Sequence, residues 1–178
     1  EKDLRALNLN QNDTVLGLAA SGRTPYVIGC LDYAKNVGAF SASIACVPDS
    51  EIGKHAVVAI EAVVGPEVIT GSTRMKAGTA QKMILNTIST GVMIRQGKVY
   101  QNVMIDVQPT NSKLVDRACR IINVTTGASK EKALKALKKT NNNVSLTIVM
   151  LKTGKNREDS QKLLAQEHGN VSQVLKER

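Results

Sequence analysis

Three short apolar runs, each followed by a helical pattern, constrain this chain more than any other feature. Residues 14–20 form the first run, bounded by Asn12-Asp13 and Ser21-Gly22, and read as a buried strand. Residues 25–37 follow with apolar positions at Val27, Ile28, Leu31 and Ala34, Pro25 at the first helical position and Gly38 as the stop. Residues 40–47 give a second strand ending at Pro48, 50–55 a short helix, 57–64 a third strand, and about 73–94 a long helix. Strands alternating with helices predict an α/β fold with parallel strands and helices on both faces, because parallel neighbours need crossover connections.

Ligands on such sheets bind beyond the carboxyl ends of the strands. Two turns of one design fall there. The first is Ala20-Ser21-Gly22-Arg23-Thr24-Pro25, and the second is Gly71-Ser72-Thr73-Arg74-Met75-Lys76. Amides at a helix start lack intrahelical acceptors, and the helix dipole adds positive potential there. Ser and Thr hydroxyls can donate, and arginine grips phosphate through two parallel hydrogen bonds. Each turn also reads as a plain helix start, with Gly22 for the bend, Thr24 as cap and Pro25 at the first position. Arg23 adds a charge that a cap does not need. Neither turn is a Walker A loop, since Gly71 and Gly78 are too far apart and Lys76 precedes Ala77. There is no G-x-G-x-x-G pattern, so no motif supports a dinucleotide. Glu67, between the third strand and the second turn, can bond sugar hydroxyls, move a proton, or cap the helix.

Beyond Gly97 the pattern changes. Residues 100–107 are apolar and ambiguous between states. Helical patterns then cover 111–125, 129–140, 143–152, 157–167 and 170–177, with Ser129 as an N-cap and Thr153-Gly154 as a break. Two regions are expected: 1–108, carrying the sheet, and 109–178, a helical C-terminal extension.

The chain has 178 residues, 42% hydrophobic and 22% charged, which is ordinary for a globular protein. No apolar run approaches the ~20 residues of a membrane-spanning helix. The first residue is Glu1 rather than Met, and the opening residues already look helical, so the chain is expected to be the later part of a longer protein. Cys30, Cys46 and Cys119 form no paired motif, which argues for buried thiols rather than a disulfide or metal site. The Asn-x-Ser/Thr triplets at Asn123, Asn143 and Asn170 carry no weight inside a cell. Neither His55 nor His168 shows a triad-type partner pattern in its sequence neighbourhood, and a spatial partner stays open. Residues 1–90 carry eight basic and eight acidic side chains, whereas 91–178 carry sixteen and seven, which is the whole of the +9. Lys130, Lys132, Lys135, Lys138 and Lys139 share one helical segment, readable as a solvated face or as a nucleic-acid patch. Aromatic content of 2% leaves few side chains for base stacking.

The stretch Leu-Gly-Leu-Ala-Ala-Ser-Gly-Arg-Thr-Pro-Tyr-Val ending at Val27 resembles a phosphosugar loop of the sugar isomerase (SIS) fold. The run Val-Gly-Pro-Glu-Val-Ile-Thr-Gly-Ser-Thr-Arg-Met-Lys-Ala-Gly-Thr-Ala-Gln-Lys ending at Lys82 resembles, more narrowly, the N-acetylmuramic acid 6-phosphate etherase family. So does Gly97-Lys-Val-Tyr-Gln-Asn-Val-Met-Ile-Asp-Val. The resemblance covers about 1–126 closely. It implies a doubly wound SIS sheet lacking its first strand, a sugar-phosphate substrate, a homodimer in the cytoplasm, no cofactor, no metal and no membrane; nucleic acid is not an expected partner. It implies a lyase that splits the D-lactyl ether to give N-acetylglucosamine 6-phosphate and D-lactate. It assigns substrate contact to Ser21, Gly22, Arg23, Thr24, Glu67, Ser72, Arg74 and Lys76. The family's first phosphosugar loop, Gly-Ala-Gly-Thr-Ser-Gly-Arg, is absent here. Its catalytic glutamates, in Ala-Ser-Glu-Cys and Val-Glu-Gly-Ala-Glu-Asp segments, are absent too. No catalytic residue is therefore assigned, and the chain alone is expected to be inactive. A sugar-phosphate-binding regulator of the glucokinase regulatory protein type, or an SIS-type transcription regulator, are the alternatives.

Overall fold

The computed structural model describes residues 1–176, which divide into two compact units, the first Glu1–Ile88 and the second beginning at Ser89. In the first unit α1 (Lys2–Ala6) leads into β1 (Thr14–Leu18), α2 (Pro25–Asn36), β2 (Phe40–Ala45), α3 (Glu51–Lys54) and β3 (Val58–Glu61). The strands form one parallel sheet in the order β1-β2-β3, with Gly17 opposite Ser43 and Ser43 opposite Ala59. The parallel arrangement expected from the strand–helix alternation is therefore present, with helices flanking the sheet.

The α2 helix buries Val27, Cys30, Leu31 and Ala34, the face set by its i, i+3, i+4, i+7 spacing. It lies so close to β1 that a Cβ on Gly17 would stand 2.6 Å from Val27 Cγ1. A glycine in mid-strand is thus the condition for helix–sheet contact here. Ala19, Val27, Leu31, Ala45 and Ile52 make the core between sheet and helices. Burying each large aliphatic side chain is worth about 1.5–3 kcal/mol.

Two elements depart from expectation. The third strand is four residues rather than eight, and Val57 and Val58 remain 67% and 43% exposed. It is an edge strand, and the chain leaves the sheet before the Gly65-Pro66 bend. The long helix, α4 (Lys76–Arg95), starts three residues later than its pattern suggests. Residues 71–75 stay out of the helix because a side chain, not the preceding turn, satisfies the first helical amides. Ala77 is its one buried residue, and Met83, Ile88, Val92 and Met93 stay exposed.

In the second unit the end of α4 is followed by a hairpin, β4 (Val99–Tyr100) against β5 (Val103–Met104), turned at Gln101 with φ 54. That hairpin resolves the ambiguous stretch after Gly97. Five helices follow: α5 (Ser112–Thr126), α6 (Lys130–Lys139), α7 (Val144–Thr153), α8 (Arg157–Gln166) and α9 (Val171–Leu175). Every one starts at a side-chain N-cap: Asn111, Ser129, Asn143, Asn156 and Asn170 each accept an amide hydrogen bond from three residues on. Two of the three Asn-x-Ser/Thr triplets are therefore helix caps. The third, Asn123, donates from Nδ2 to the Ala128 carbonyl at 2.7 Å. Tyr100, Ile105, Ile122, Leu137, Ile148, Val149 and Val171 belong to this unit's core. The five lysines of α6 are exposed on the side away from buried Ala133, Ala136 and Leu137.

Candidate phosphosugar site

The first turn leaves β1 at Leu18 and enters α2 at Pro25. Gly22 sits at φ 69, where an L side chain is strained, and its missing Cβ would lie 2.6 Å from Ser50 Cβ. Its amide donates to the Ala19 carbonyl at 2.9 Å and closes the bend. The amides of Ser21, Arg23 and Thr24 find no acceptor among the described residues. Thr24 is the N-cap of α2 by backbone geometry, yet its hydroxyl makes no cap bond. The turn therefore presents unspent donors at a helix start, beside the exposed guanidinium of Arg23.

The second turn is anchored by Glu67. Its Oε2 accepts the Lys76 amide at 3.0 Å and its Oε1 the Ala77 amide at 3.1 Å, so the carboxylate caps α4. Those bonds, Lys76 first and Ala77 next, hold the Glu67 carboxyl below its ordinary value. Lys76 Nζ donates to the Pro66 carbonyl at 2.9 Å and ties the two ends of the loop together. Arg74 is exposed and finds no side-chain partner among the described residues. The amides of Thr73 and Arg74 likewise lack acceptors there.

Both turns open into one cavity of about 520 Å³ at the carboxyl ends of the three strands. Ser21 and Arg23 line it from the first turn, Glu67, Ser72 and Thr73 from the second segment. Gly22, Thr24, Arg74 and Lys76 stand outside its lining: Gly22 and Lys76 hold the turns in shape, and Thr24 starts α2. The lining also includes Cys46, Val47 and Thr70, which the sequence did not single out. Nothing local marks the first two, since they simply follow β2; their place on the sheet edge is the only signal. Cys46 donates its thiol to the Ala77 carbonyl at 3.7 Å. Burial first, and the Glu67 charge second, push that thiol up, so it is a packing group rather than a thiolate nucleophile.

The chemistry of this arrangement is anion recognition. It combines free amides, hydroxyls and one guanidinium around a space within the range of small-molecule sites. Among the described residues Glu67 is the one carboxylate lining it, and both its oxygens are engaged. Among the described residues no group of three or more His, Cys, Asp or Glu side chains is placed to hold a metal. His55 lies elsewhere in the unit, with Nδ1 2.6 Å from Asp32 Oδ1 and Nε2 3.7 Å from Glu51. It has the spatial partner that its sequence neighbourhood left open.

A parallel sheet with helix-start anion turns at its carboxyl edge is the arrangement of an α/β ligand-binding domain. Residues 2–90 match the family model of the SIS domain, and the chain belongs to that family. Residues 101–145 match the C-terminal lid domain of glucokinase regulatory protein. The chain is 69% identical over 177 residues to N-acetylmuramic acid 6-phosphate etherase of Lactobacillus gasseri, covering 99% of this chain and 60% of the relative. It is 72% identical over 175 residues to the Lactobacillus acidophilus protein of the same name, covering 98% and 59%. A Clostridium botulinum (strain Eklund 17B) etherase is 54% identical over 176 residues, covering 99% and 58%. The chain thus spans about 60% of the length of the curated relatives it matches.

Proposed function

We propose that this chain provides sugar-phosphate binding for an N-acetylmuramic acid 6-phosphate etherase, a carbon–oxygen lyase of cell-wall sugar recycling acting in the cytoplasm. The observation that carries this reading is the single cavity into which both anion turns open. The phosphate would take the amides of the first turn with Arg23, and Ser72 and Glu67 would face the sugar hydroxyls. In the reaction the sugar opens to its aldehyde, which acidifies the C2 proton. A carboxylate removes that proton, an acid protonates the departing lactate oxygen, and water adds to the unsaturated aldehyde. Such chemistry needs two carboxyl groups in different protonation states. Glu67, with both oxygens held by amides and its carboxyl pulled low, is a poor base. The chain alone therefore binds without turnover.

Two measurements on the 178-residue chain test this: calorimetry with N-acetylglucosamine 6-phosphate, and lactate release from N-acetylmuramic acid 6-phosphate beside the complete Lactobacillus gasseri relative. Binding by the chain with release only by the relative is expected. Lactate release by the chain itself would overturn the assignment of no catalytic residue and make Glu67 the first position to mutate.

The match of 101–145 to a regulatory protein's lid domain favours a second reading, a sugar-phosphate sensor. That reading predicts binding without release even when the chain is extended to the length of its relatives. The exposed apolar side chains of α4 support assembly as a homodimer.

A further inference from the structure

Glu61 ends β3, and its side chain reaches the loop that follows β2. Its Oε2 accepts the Asp49 amide at 2.9 Å, and its Oε1 accepts both the amide and the hydroxyl of Ser50 at 2.8 Å. Three donors therefore converge on one carboxylate. The Ser50 hydroxyl, then the Ser50 amide, hold this carboxyl below its ordinary value. Asp49 sits at φ 50, a left-handed conformation that aspartate adopts at modest cost. The bond from its amide to Glu61 holds it there.

Ser50 passes this constraint to the ligand turn. It is 4% exposed, and its Oγ accepts the Gly53 amide at 3.2 Å, capping α3. Its Cβ packs where Gly22 leaves room, and the Ile52 amide donates to the Gly22 carbonyl at 2.9 Å. Val47 Cγ2 closes the other side, 2.9 Å from the position of a Gly22 Cβ. The bend at Gly22 thus stands on the segment 47–52, and Glu61 fastens that segment to the sheet. Glu67 does the corresponding work for the second turn. Each anion turn has its own carboxylate anchor, and neither anchor belongs to the turn it fixes.

We propose that Glu61 is a positioning residue for ligand binding: through Asp49 and Ser50 it holds residues 21–24 in the geometry that receives an oxyanion. The proposal rests on the reading of the cavity as a sugar-phosphate site. It predicts a sign that simple electrostatics would not. Removing a negative charge from the neighbourhood of an anion site should strengthen binding. Removing an anchor should weaken it. Glu61→Gln separates the two, because the amide keeps the size, offers one acceptor oxygen to three donors, and carries no charge.

The test is an inorganic phosphate titration of the complete 178-residue chain, followed at individual amides by NMR, with amide hydrogen exchange measured before ligand is added. In the wild type, amides of both turns should shift. In Glu61→Gln the response at Ser21, Arg23 and Thr24 should need roughly tenfold more phosphate, while Thr73 and Arg74 still respond. Exchange at Ser50 and Ile52 should be roughly tenfold faster without ligand, as expected when a charge-assisted bond is lost. Ser50→Ala, which removes only the hydroxyl, should shift both readouts in the same direction by less, and it serves if Glu61→Gln fails to fold. Phosphate binding as tight as or tighter than wild type at the first turn, with unchanged exchange at Ile52, would overturn the proposal. A wild type silent to phosphate at both turns would instead remove the site reading, and the exchange comparison would still decide whether Glu61 fixes the bend.

Discussion

Glu67 and Arg23 show what a single residue's neighbours decide. Between a strand and a helix start, Glu67 is open to sugar contact, proton transfer or capping; in the folded chain its oxygens receive the Lys76 and Ala77 amides. That contact has a pH signature. The folded carboxyl lies below its ordinary value of 4.5, so its contribution to stability is complete above that pH and is lost as the pH falls through the lower folded value. Glu67→Gln, with one acceptor oxygen for two amides, should be less stable than wild type at pH ~7 and should lose much less on going to pH ~3. Urea midpoints at the two pH values check this; equal acid losses would mean that the cap contributes nothing. Arg23 lines the cavity whereas Arg74 does not. Arg23→Ala should weaken binding of N-acetylglucosamine 6-phosphate by about 1.5–3 kcal/mol, the range for a hydrogen bond to a charged group. Arg74→Ala should cost less. Calorimetry on both variants ranks them, and an unchanged affinity in Arg23→Ala would place that guanidinium outside the ligand.

At the scale of elements, close packing of α2 on β1 makes the sharpest prediction. Gly17→Ala would place a methyl 2.6 Å from Val27 Cγ1 and 3.2 Å from Leu31. Overpacking of this kind costs about 1–3 kcal/mol. Because α2 begins at the first turn, the variant should also loosen ligand binding, and a wild-type denaturation midpoint would show that the helix yields without strain. Most elements were legible in the sequence for local reasons. The helices α5 to α9 each begin at an Asn or Ser that caps in the folded chain, and α2 begins at Pro25 with its apolar face in register. What was not legible depends on contacts far apart in sequence. The late start of α4 follows from Glu67, nine residues before Lys76, and the short exposed β3 follows from its place at the sheet edge. The two anion turns could be read because both follow strands. Their meeting in one cavity, and the Glu61 contact to residues eleven and twelve positions upstream, needed the strand order and register.

For the whole molecule the unspent feature is apolar surface. Along α4, Leu85, Ile88 and Val92, spaced i, i+3 and i+7 on one face, are 37%, 36% and 44% exposed. Scattered exposed apolar groups are ordinary, but one helix carrying this many with a single buried residue is a face without a cover. The net charge of +9 opposes association at low salt, so a self-complementary apolar contact should tighten as salt screens that charge. A second copy is the cover expected here, through an isologous contact of α4 with α4. Sedimentation velocity should then give twice 19.1 kDa at micromolar concentration, with the dimer favoured by added salt. Val92→Lys should return the chain to 19.1 kDa by placing a charge at the contact, while leaving sugar-phosphate affinity unchanged, because Val92 is remote in sequence from every residue lining the cavity. A wild type that stays at 19.1 kDa across concentration and salt would mean that α4 is covered by something other than a second copy of this chain.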